Sequence, residues 1–165
     1  MEFGNVSSIV DTANFQNAEE TTAILFYQGC NFGCGYCHNG QLWNAESPSL
    51  TENGLKSFIS KAKRSWIKLI TVCGGEPTNQ AEELITLAQH LQEEGFRVKL
   101  DTNGSHPEVL ERLIGNGLVS YVAMDIKGTL AQYPEITGFQ DVDKIRQSIA
   151  LVRRLETYEF RTTVV

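Results

Sequence analysis

The sequence predicts an α/β fold built on a parallel sheet. Three observations carry that expectation. Short apolar or alternating runs of strand length recur five times along the chain. Between them stand segments whose apolar residues repeat at helical spacing. The chemically distinctive residues fall just after the strand-like runs, where a parallel sheet gathers its loops on one rim. Alternation of this kind implies right-handed crossovers between parallel strands. It allows either an open doubly wound sheet or part of a β/α barrel.

The elements follow in order. Residues 1–21 read as a leader, because 5–20 (NVSSIVDTANFQNAEE) are polar and poorly periodic; a short edge strand is the one element they could hold. The domain proper is 22–165. Thr22 to Tyr27 (TAILFY) is the first strand. Leu55, Phe58, Ile59 and Ala62 then share one helical face. Ile67 to Cys73 (IKLITVC) is the second strand. Asn79 and Glu82 have capping-box spacing ahead of Leu84, Ile85, Ala88 and Leu91, and Gly95 supplies a stop. Arg97 to Asp101 (RVKLD) is the third strand. Pro107 suits the first turn of a helix carrying Val109, Leu110, Leu113 and Ile114, with Gly115 after them. Val119 to Ile126 is the fourth strand. Asp141 or Asp143 is placed to cap a helix with Ile145, Ile149, Val152 and Leu155. Tyr158 to Val165 (YEFRTTVV) is the fifth strand.

A chain of 165 residues is enough for one domain with its own core. The net charge of -6 argues against nucleic acid as a partner, since phosphate backbones demand a basic footprint. No apolar run approaches the ~20 residues of a membrane span, so no membrane partner is expected. The first ten residues lack the basic and apolar segments of a secretory signal, and a cytoplasmic location is the default. Four cysteines stand at 30, 34, 37 and 73. Three of them crowd into one loop, which reads as metal or redox chemistry and not as a disulfide framework.

That loop is GCNFGCGYCHNG, residues 29–40. A C-x3-C-x2-C array can wrap a compact metal centre, and thiolate sulfur selects zinc, Cu(I) or iron–sulfur. Structural zinc takes four closed ligands. Here the local count is three, with His38 or Cys73 available in principle as a fourth. Three cysteines leave one iron of a [4Fe–4S] cluster open to a substrate. Spacing alone leaves iron–sulfur, zinc and a thiol redox site all standing. Further chemistry follows the other strands: Gly74-Gly75-Glu76-Pro77, Asp101-Thr102-Asn103-Gly104, Asp125 with Lys127, and Arg161 inside the last strand.

The cysteine loop with Tyr36 before Cys37, followed by GGEP at 74–77, resembles the radical S-adenosylmethionine (SAM) superfamily. CHN at 37–39, LDTNG at 100–104, MDIKG at 124–128 and YEFRTTVV at 158–165 are similar to the activating enzymes of glycyl-radical enzymes. The likeness is greatest to the activating protein of anaerobic ribonucleoside-triphosphate reductase and covers about residues 22–165. It implies a partial (β/α) barrel with about five strands in this chain. It implies that Cys30, Cys34 and Cys37 hold three irons of a [4Fe–4S] cluster whose open iron chelates SAM. Reductive cleavage of SAM then yields a 5′-deoxyadenosyl radical that takes a hydrogen atom from a glycine of the partner.

The same resemblance assigns the other rim residues to SAM. Gly74 and Gly75 offer backbone to the ammonium, with Glu76 and Asp101 as anions near it, and Asn103 borders the site. Asp125 binds ribose hydroxyls, Lys127 pairs with the methionyl carboxylate, and Tyr36 lies beside the adenine. His38 and Arg161 face SAM or the incoming glycine loop. A monovalent cation is implied on Asp101, Thr102 and Asp125. The implied partners are a glycyl-radical enzyme, the anaerobic ribonucleotide reductase large subunit first, and a low-potential donor such as flavodoxin or ferredoxin.

Two departures stand out: a sixth strand is not visible, and the leader lacks the family's D-Y-P-G pattern. Other readings keep the cluster loop and change the rest. One is activation of another glycyl-radical enzyme. Another is 7-deazaguanine synthesis, whose enzymes carry Asp-Thr where this chain has His38-Asn39. A third is a non-catalytic iron–sulfur or zinc binding module. Bland roles remain for several residues: Cys73 as a buried thiol pointing into the sheet, His90 and His106 as solvated positions, and Trp43 and Trp66 as packing residues.

Overall fold

The computed structural model describes residues 3–4, 6–14, 21–43 and 50–164. Six strands form one sheet in chain order: β1 Val6–Asn14, β2 Thr21–Tyr27, β3 Leu69–Gly74, β4 Arg97–Thr102, β5 Tyr121–Asp125 and β6 Tyr158–Arg161. Neighbours from β2 to β6 pair in parallel, and β1 runs antiparallel against β2. This order decides between the two architectures. A doubly wound sheet reverses its strand order and carries helices on both faces. Here the order never reverses, so right-handed crossovers put the helices on one face. The sheet is the wall of a partial barrel, helix-covered outside and concave inside.

The helices are α1 Glu52–Arg64, α2 Ala81–Glu93, α3 Pro107–Gly115, the short α4 Tyr133–Thr137, and α5 Val142–Val152. The outer face of the sheet is apolar and buried: Ala23 and Leu25, Ile70 and Val72, Val98 and Leu100, Val122 and Met124. The same core takes in Leu55, Phe58 and Ile59 of α1, Leu84 and Leu87 of α2, Leu110 and Leu113 of α3, and Ile145 of α5. Each fully buried side chain of this size contributes about 1.5–3 kcal/mol. The helical spacing seen in the sequence thus buries the faces it predicts.

Helix ends show how local sequence sets the entry and exit of each crossover. Thr51 caps α1, its hydroxyl accepting from Gly54 N at 3.1 Å. At the other end Ile67 N donates to Ala62 O and Trp66 N to Lys63 O, a Schellman turn. Its left-handed position holds Trp66, with φ 59°, where glycine is the usual occupant. Gly95, φ 88°, fills the matching position after α2.

Several expectations are corrected. The leader holds a nine-residue strand, β1, and not a short one. Its pairing slips between Val6 and Ser8 and again between Val10 and Ala13; irregular register on an edge weakens the alternation that marks a strand. The second predicted strand shifts to Leu69–Gly74, and the fourth and fifth contract to Tyr121–Asp125 and Tyr158–Arg161. Asn79 and Glu82 form no capping box: Gln80 is the N-cap of α2 and makes no side-chain cap bond, its Nε2 donating instead to Gln28 O at 2.9 Å. Asn79 Oδ1 instead meets His106 Nε2 at 3.0 Å, while His106 Nδ1 meets Glu108 Oε1 at 3.0 Å. Asp141 takes the N-cap position of α5 without a side-chain cap bond. Trp66, expected as a packing residue, is 87% exposed. No helix among the described residues is long and apolar enough to cross a membrane.

Candidate active site

The parallel strands end on one rim, and their loops enclose a cavity of about 730 Å³. Cys30, Cys34, Tyr36, Cys37 and His38 line it from the loop after β2. Gly74 and Gly75 line it from the end of β3, Asp101 and Asn103 from the end of β4, Asp125 and Lys127 from the end of β5, and Arg161 from β6. Residues more than 130 positions apart in sequence thereby face one space.

The cysteine loop is held by its backbone. Gly29 N donates to Leu42 O at 2.7 Å, and Gly33 N to Thr137 O at 2.8 Å, which docks the loop on α4. Gly75 N donates to Tyr27 O and Glu76 N to Gly29 O, at 2.9 and 2.7 Å. This second pair stitches the GGEP turn to the start of the cysteine loop. It also explains the glycines. A Cβ on Gly74 would lie 2.2 Å from Tyr27 O, and one on Gly75 2.1 Å from Gly29 O. Close approach by the chain's own backbone excludes a side chain at both positions.

The three thiols are free and graded in exposure: Cys34 is buried, Cys30 half-buried and Cys37 exposed. Burial pushes the Cys30 thiol up to about 11, partly offset by the Phe32 N–H aimed at its sulfur from 3.4 Å. Burial also raises Cys34, with Lys127 opposing. Among the described residues no three His, Cys, Asp or Glu side chains already converge as a metal site. The fit to a cluster rests on the donor set, three soft thiols of one loop on one cavity wall, which suits iron–sulfur. Two of the lining side chains, Tyr36 and Arg161, also carry a buried polar atom, Oη and Nε, that finds no hydrogen-bond partner among the described residues. Buried polar atoms left in this state are open to a ligand.

Glu76 does not line the cavity. It is fully buried beneath the rim. Its Oε1 accepts from the Thr78 N–H and hydroxyl and from Thr102 Oγ1 at 2.8 Å; its Oε2 accepts from Asn103 N at 2.6 Å. Burial pushes its carboxyl above the ordinary range and these donors pull it back. Glu76 is a brace between the GGEP and DTNG turns, an anion held beneath the rim and not on the cavity lining. Ser148 of α5 supports the second turn from below, donating to Gly104 O at 2.6 Å.

The DTNG turn also reaches across to the cysteine loop. Asn103 Nδ2 donates to Asn31 Oδ1 at 2.9 Å and lies 3.9 Å from Cys30 Sγ. Asn31 Nδ2 in turn donates to Ser105 Oγ at 2.8 Å. Asn31 escaped the sequence reading because asparagine between cysteines carries no signal of its own.

Charged groups continue down the concave face in alternating sign. Lys127 Nζ meets Asp125 Oδ2 at 2.9 Å. Arg161 stands 3.4 Å from Asp125 and 2.9 Å from Asp101 Oδ2. Lys99 Nζ meets Asp101 Oδ1 at 2.7 Å and lies 3.9 Å from Glu159. Burial works against the charge on Lys127 and Arg161, but their carboxylates outweigh it and raise both. Lys99 and Glu159 were not singled out from the sequence. The signal was present: in RVKLD, Lys99 shares the face of Asp101, two residues on. Cys73 also faces this space. It is half-buried and lines the cavity, with its thiol pushed up to about 12 by burial and then by Asp101. The expectation of a thiol turned into the sheet is corrected. Trp43, expected as packing, lines the cavity mouth and is 40% exposed.

The fold, a one-way parallel wall with a three-cysteine loop after its first parallel strand, defines a class. The sequence matches the radical SAM superfamily over residues 24–164, and the chain belongs to that superfamily. Its enzymes hold a [4Fe–4S] cluster and SAM. Within the superfamily the chain sides with the activating enzymes of glycyl-radical enzymes. It is 36% identical over 166 residues to a Methanocaldococcus jannaschii protein named as a glycyl-radical enzyme activating enzyme, covering 97% of this chain and 68% of that one. It is 29% identical over 135 residues to the pyruvate formate-lyase-activating enzyme of Clostridium pasteurianum, covering 77% and 54%. Among solved structures, native anSMEcpe with bound AdoMet shares the fold at a TM-score of 0.58 and 20% identity, over 82% of this chain and 40% of that one.

Proposed function

We infer that the chain activates a glycyl-radical enzyme, with anaerobic ribonucleoside-triphosphate reductase as the first candidate partner and a low-potential flavodoxin or ferredoxin as electron source. One observation carries this reading: three thiols of one loop, the Gly74-Gly75 backbone after β3 and the charged ends of three further strands all face a single open cavity. The cluster and SAM together supply a one-electron cleavage of the C5′–S bond and hydrogen-atom abstraction by the adenosyl fragment. Cys30, Cys34 and Cys37 would hold the cluster. The chain's own groups then divide the ligand by charge. Lys127 and Arg161 offer cations to a carboxylate, while Asp125 and Asp101 offer acceptors to hydroxyl and ammonium groups. Gly74 and Gly75 leave carbonyl oxygen at the rim with no side chain in the way. Phe32, Phe26 and Ile24 give the cavity an apolar lining that limits water around a reactive species. A cavity open at the mouth admits a peptide loop, as a protein substrate requires.

The test is electron paramagnetic resonance on the anaerobically reconstituted, dithionite-reduced protein, with and without SAM. The expected result is a reduced [4Fe–4S] signal that changes when SAM is added, with methionine and 5′-deoxyadenosine as products. Addition of anaerobic ribonucleotide reductase then gives a glycyl-radical doublet. A cluster indifferent to SAM would overturn the enzymatic reading. A doublet on pyruvate formate-lyase and none on the reductase would move the partner, not the chemistry.

A further inference from the structure

A buried lysine needs a reason, because an ammonium loses several kcal/mol of hydration when it leaves water. Lys99 lies on β4 with its side chain 2% exposed. Its Nζ holds Asp101 Oδ1 at 2.7 Å, lies 3.9 Å from Glu159 Oε1, and stands 5.5 Å from the centre of the Tyr121 ring. The face around it is built for a cation. It borders the cavity through Asp101, which lines that space.

The resemblance implied a monovalent cation on Asp101, Thr102 and Asp125, and the residues present do not fit one. Asp101 Oδ1 is engaged by Lys99 and Oδ2 by Arg161 at 2.9 Å. Asp125 Oδ2 takes Lys127 at 2.9 Å, with Arg161 at 3.4 Å from Oδ1. Thr102 Oγ1 donates to Glu76 at 2.8 Å and accepts from Gly104 N at 3.1 Å. Three of the four carboxylate oxygens such an ion would use already hold a side-chain cation within 2.9 Å, and the charge it would supply is present.

We propose that Lys99 is a positioning residue that serves as a tethered counter-cation beneath Asp101, in place of an exchangeable monovalent ion. Its ammonium is a compact point charge on a flexible stem, the side chain most like a hydrated alkali ion. Tethering it fixes one oxygen of Asp101 and leaves the other for Arg161. Asp101 and Arg161 are thereby held toward the cavity whatever salt surrounds the protein. The proposal rests on the reading of the cavity as the SAM site.

The experiment measures SAM dissociation constants for the cluster-loaded chain in sodium, potassium, ammonium and tetramethylammonium chloride at equal ionic strength. The wild type is expected to bind equally, within about twofold, in all four. Lys99→Met keeps the volume and removes the charge. It is expected to lose about tenfold in affinity in tetramethylammonium, where no ion fits the gap, and to recover in ammonium or potassium. Lys99→Arg keeps most of the affinity. Melting temperature and iron content are followed in parallel, because a merely structural lysine gives no recovery by small cations. Where Lys99→Met fails to fold, the Lys99→Met, Glu159→Gln double variant removes one positive and one negative charge together, and the wild-type salt series still decides. A wild type that needs sodium or potassium overturns the proposal, as does a folded Lys99→Met that binds SAM like the wild type. Binding of SAM in none of the salts refutes the site reading itself, which separates the two failures.

Discussion

Strand β4 shows two chemistries on the two faces of six residues. Val98 and Leu100 point outward into the apolar core, at most 1% exposed. Lys99 and Asp101 point inward, and Lys99 is just as deeply buried. The outer face is held by volume: any side chain of similar shape serves, and no named partner is required. The inner face is held by identity, since each charge has a specific opposite charge within 4 Å. Burial alone therefore says nothing about role. What separates scaffold from site here is whether a buried group can be replaced by an equal volume.

The largest expected effect sharpens this contrast from the functional side. Cys34→Ser replaces a soft donor by a hard one and should lower SAM cleavage by more than about 10³-fold. Urea unfolding of the iron-free chain should move by less than about 1 kcal/mol. Iron content and 5′-deoxyadenosine formation provide the check. Leu100→Ala should show the opposite pattern. It should cost about 3–4 kcal/mol through the cavity it leaves, and lower the melting temperature by roughly 10 °C. The folded fraction should bind SAM as before.

Glu76→Gln tests whether the contrast can be broken, because this buried charge lies under the rim and off the concave face. The amide would turn a donor toward Asn103 N–H or toward the Thr78 and Thr102 donors. A loss of about 2–3 kcal/mol is expected, together with weaker cluster retention as the two turns part. An unfolding curve matching the wild type would show that the brace is dispensable. Trp66→Gly should have the smallest effect and the opposite sign. Glycine accepts the left-handed turn without strain, so a gain of about 0.5–1 kcal/mol is expected. The urea midpoint should rise with SAM affinity unchanged.

The outer face was legible in the sequence because it is periodic. Leu55, Phe58, Ile59 and Ala62 announced α1 by spacing alone, and TAILFY announced β2. The rim was legible because loop chemistry stands next to strand ends: cysteines, glycine pairs and DTNG are local words. The inner face was not, for a physical reason. Lys99 and Glu159 sit about 60 positions apart and come together through parallel strands β4, β5 and β6, in a register that no local pattern records. The bracing role of Glu76 was not legible for a related reason. Its motif told which turn it belongs to, but not that four donors from Thr78, Thr102 and Asn103 would draw it inward. β1 was underestimated because its two register slips blur the alternation of an edge strand.

The two tryptophans stand at opposite ends of the sheet. Trp43 lines the cavity mouth, while Trp66 caps the far end of α1, 87% exposed and in contact with nothing at the rim. The chain therefore carries its own optical gauge: one indole whose emission responds to what enters the cavity, and a second that supplies the baseline. Removing Trp66 isolates the responsive signal, so ligand entry can be followed by intrinsic fluorescence without attaching a dye.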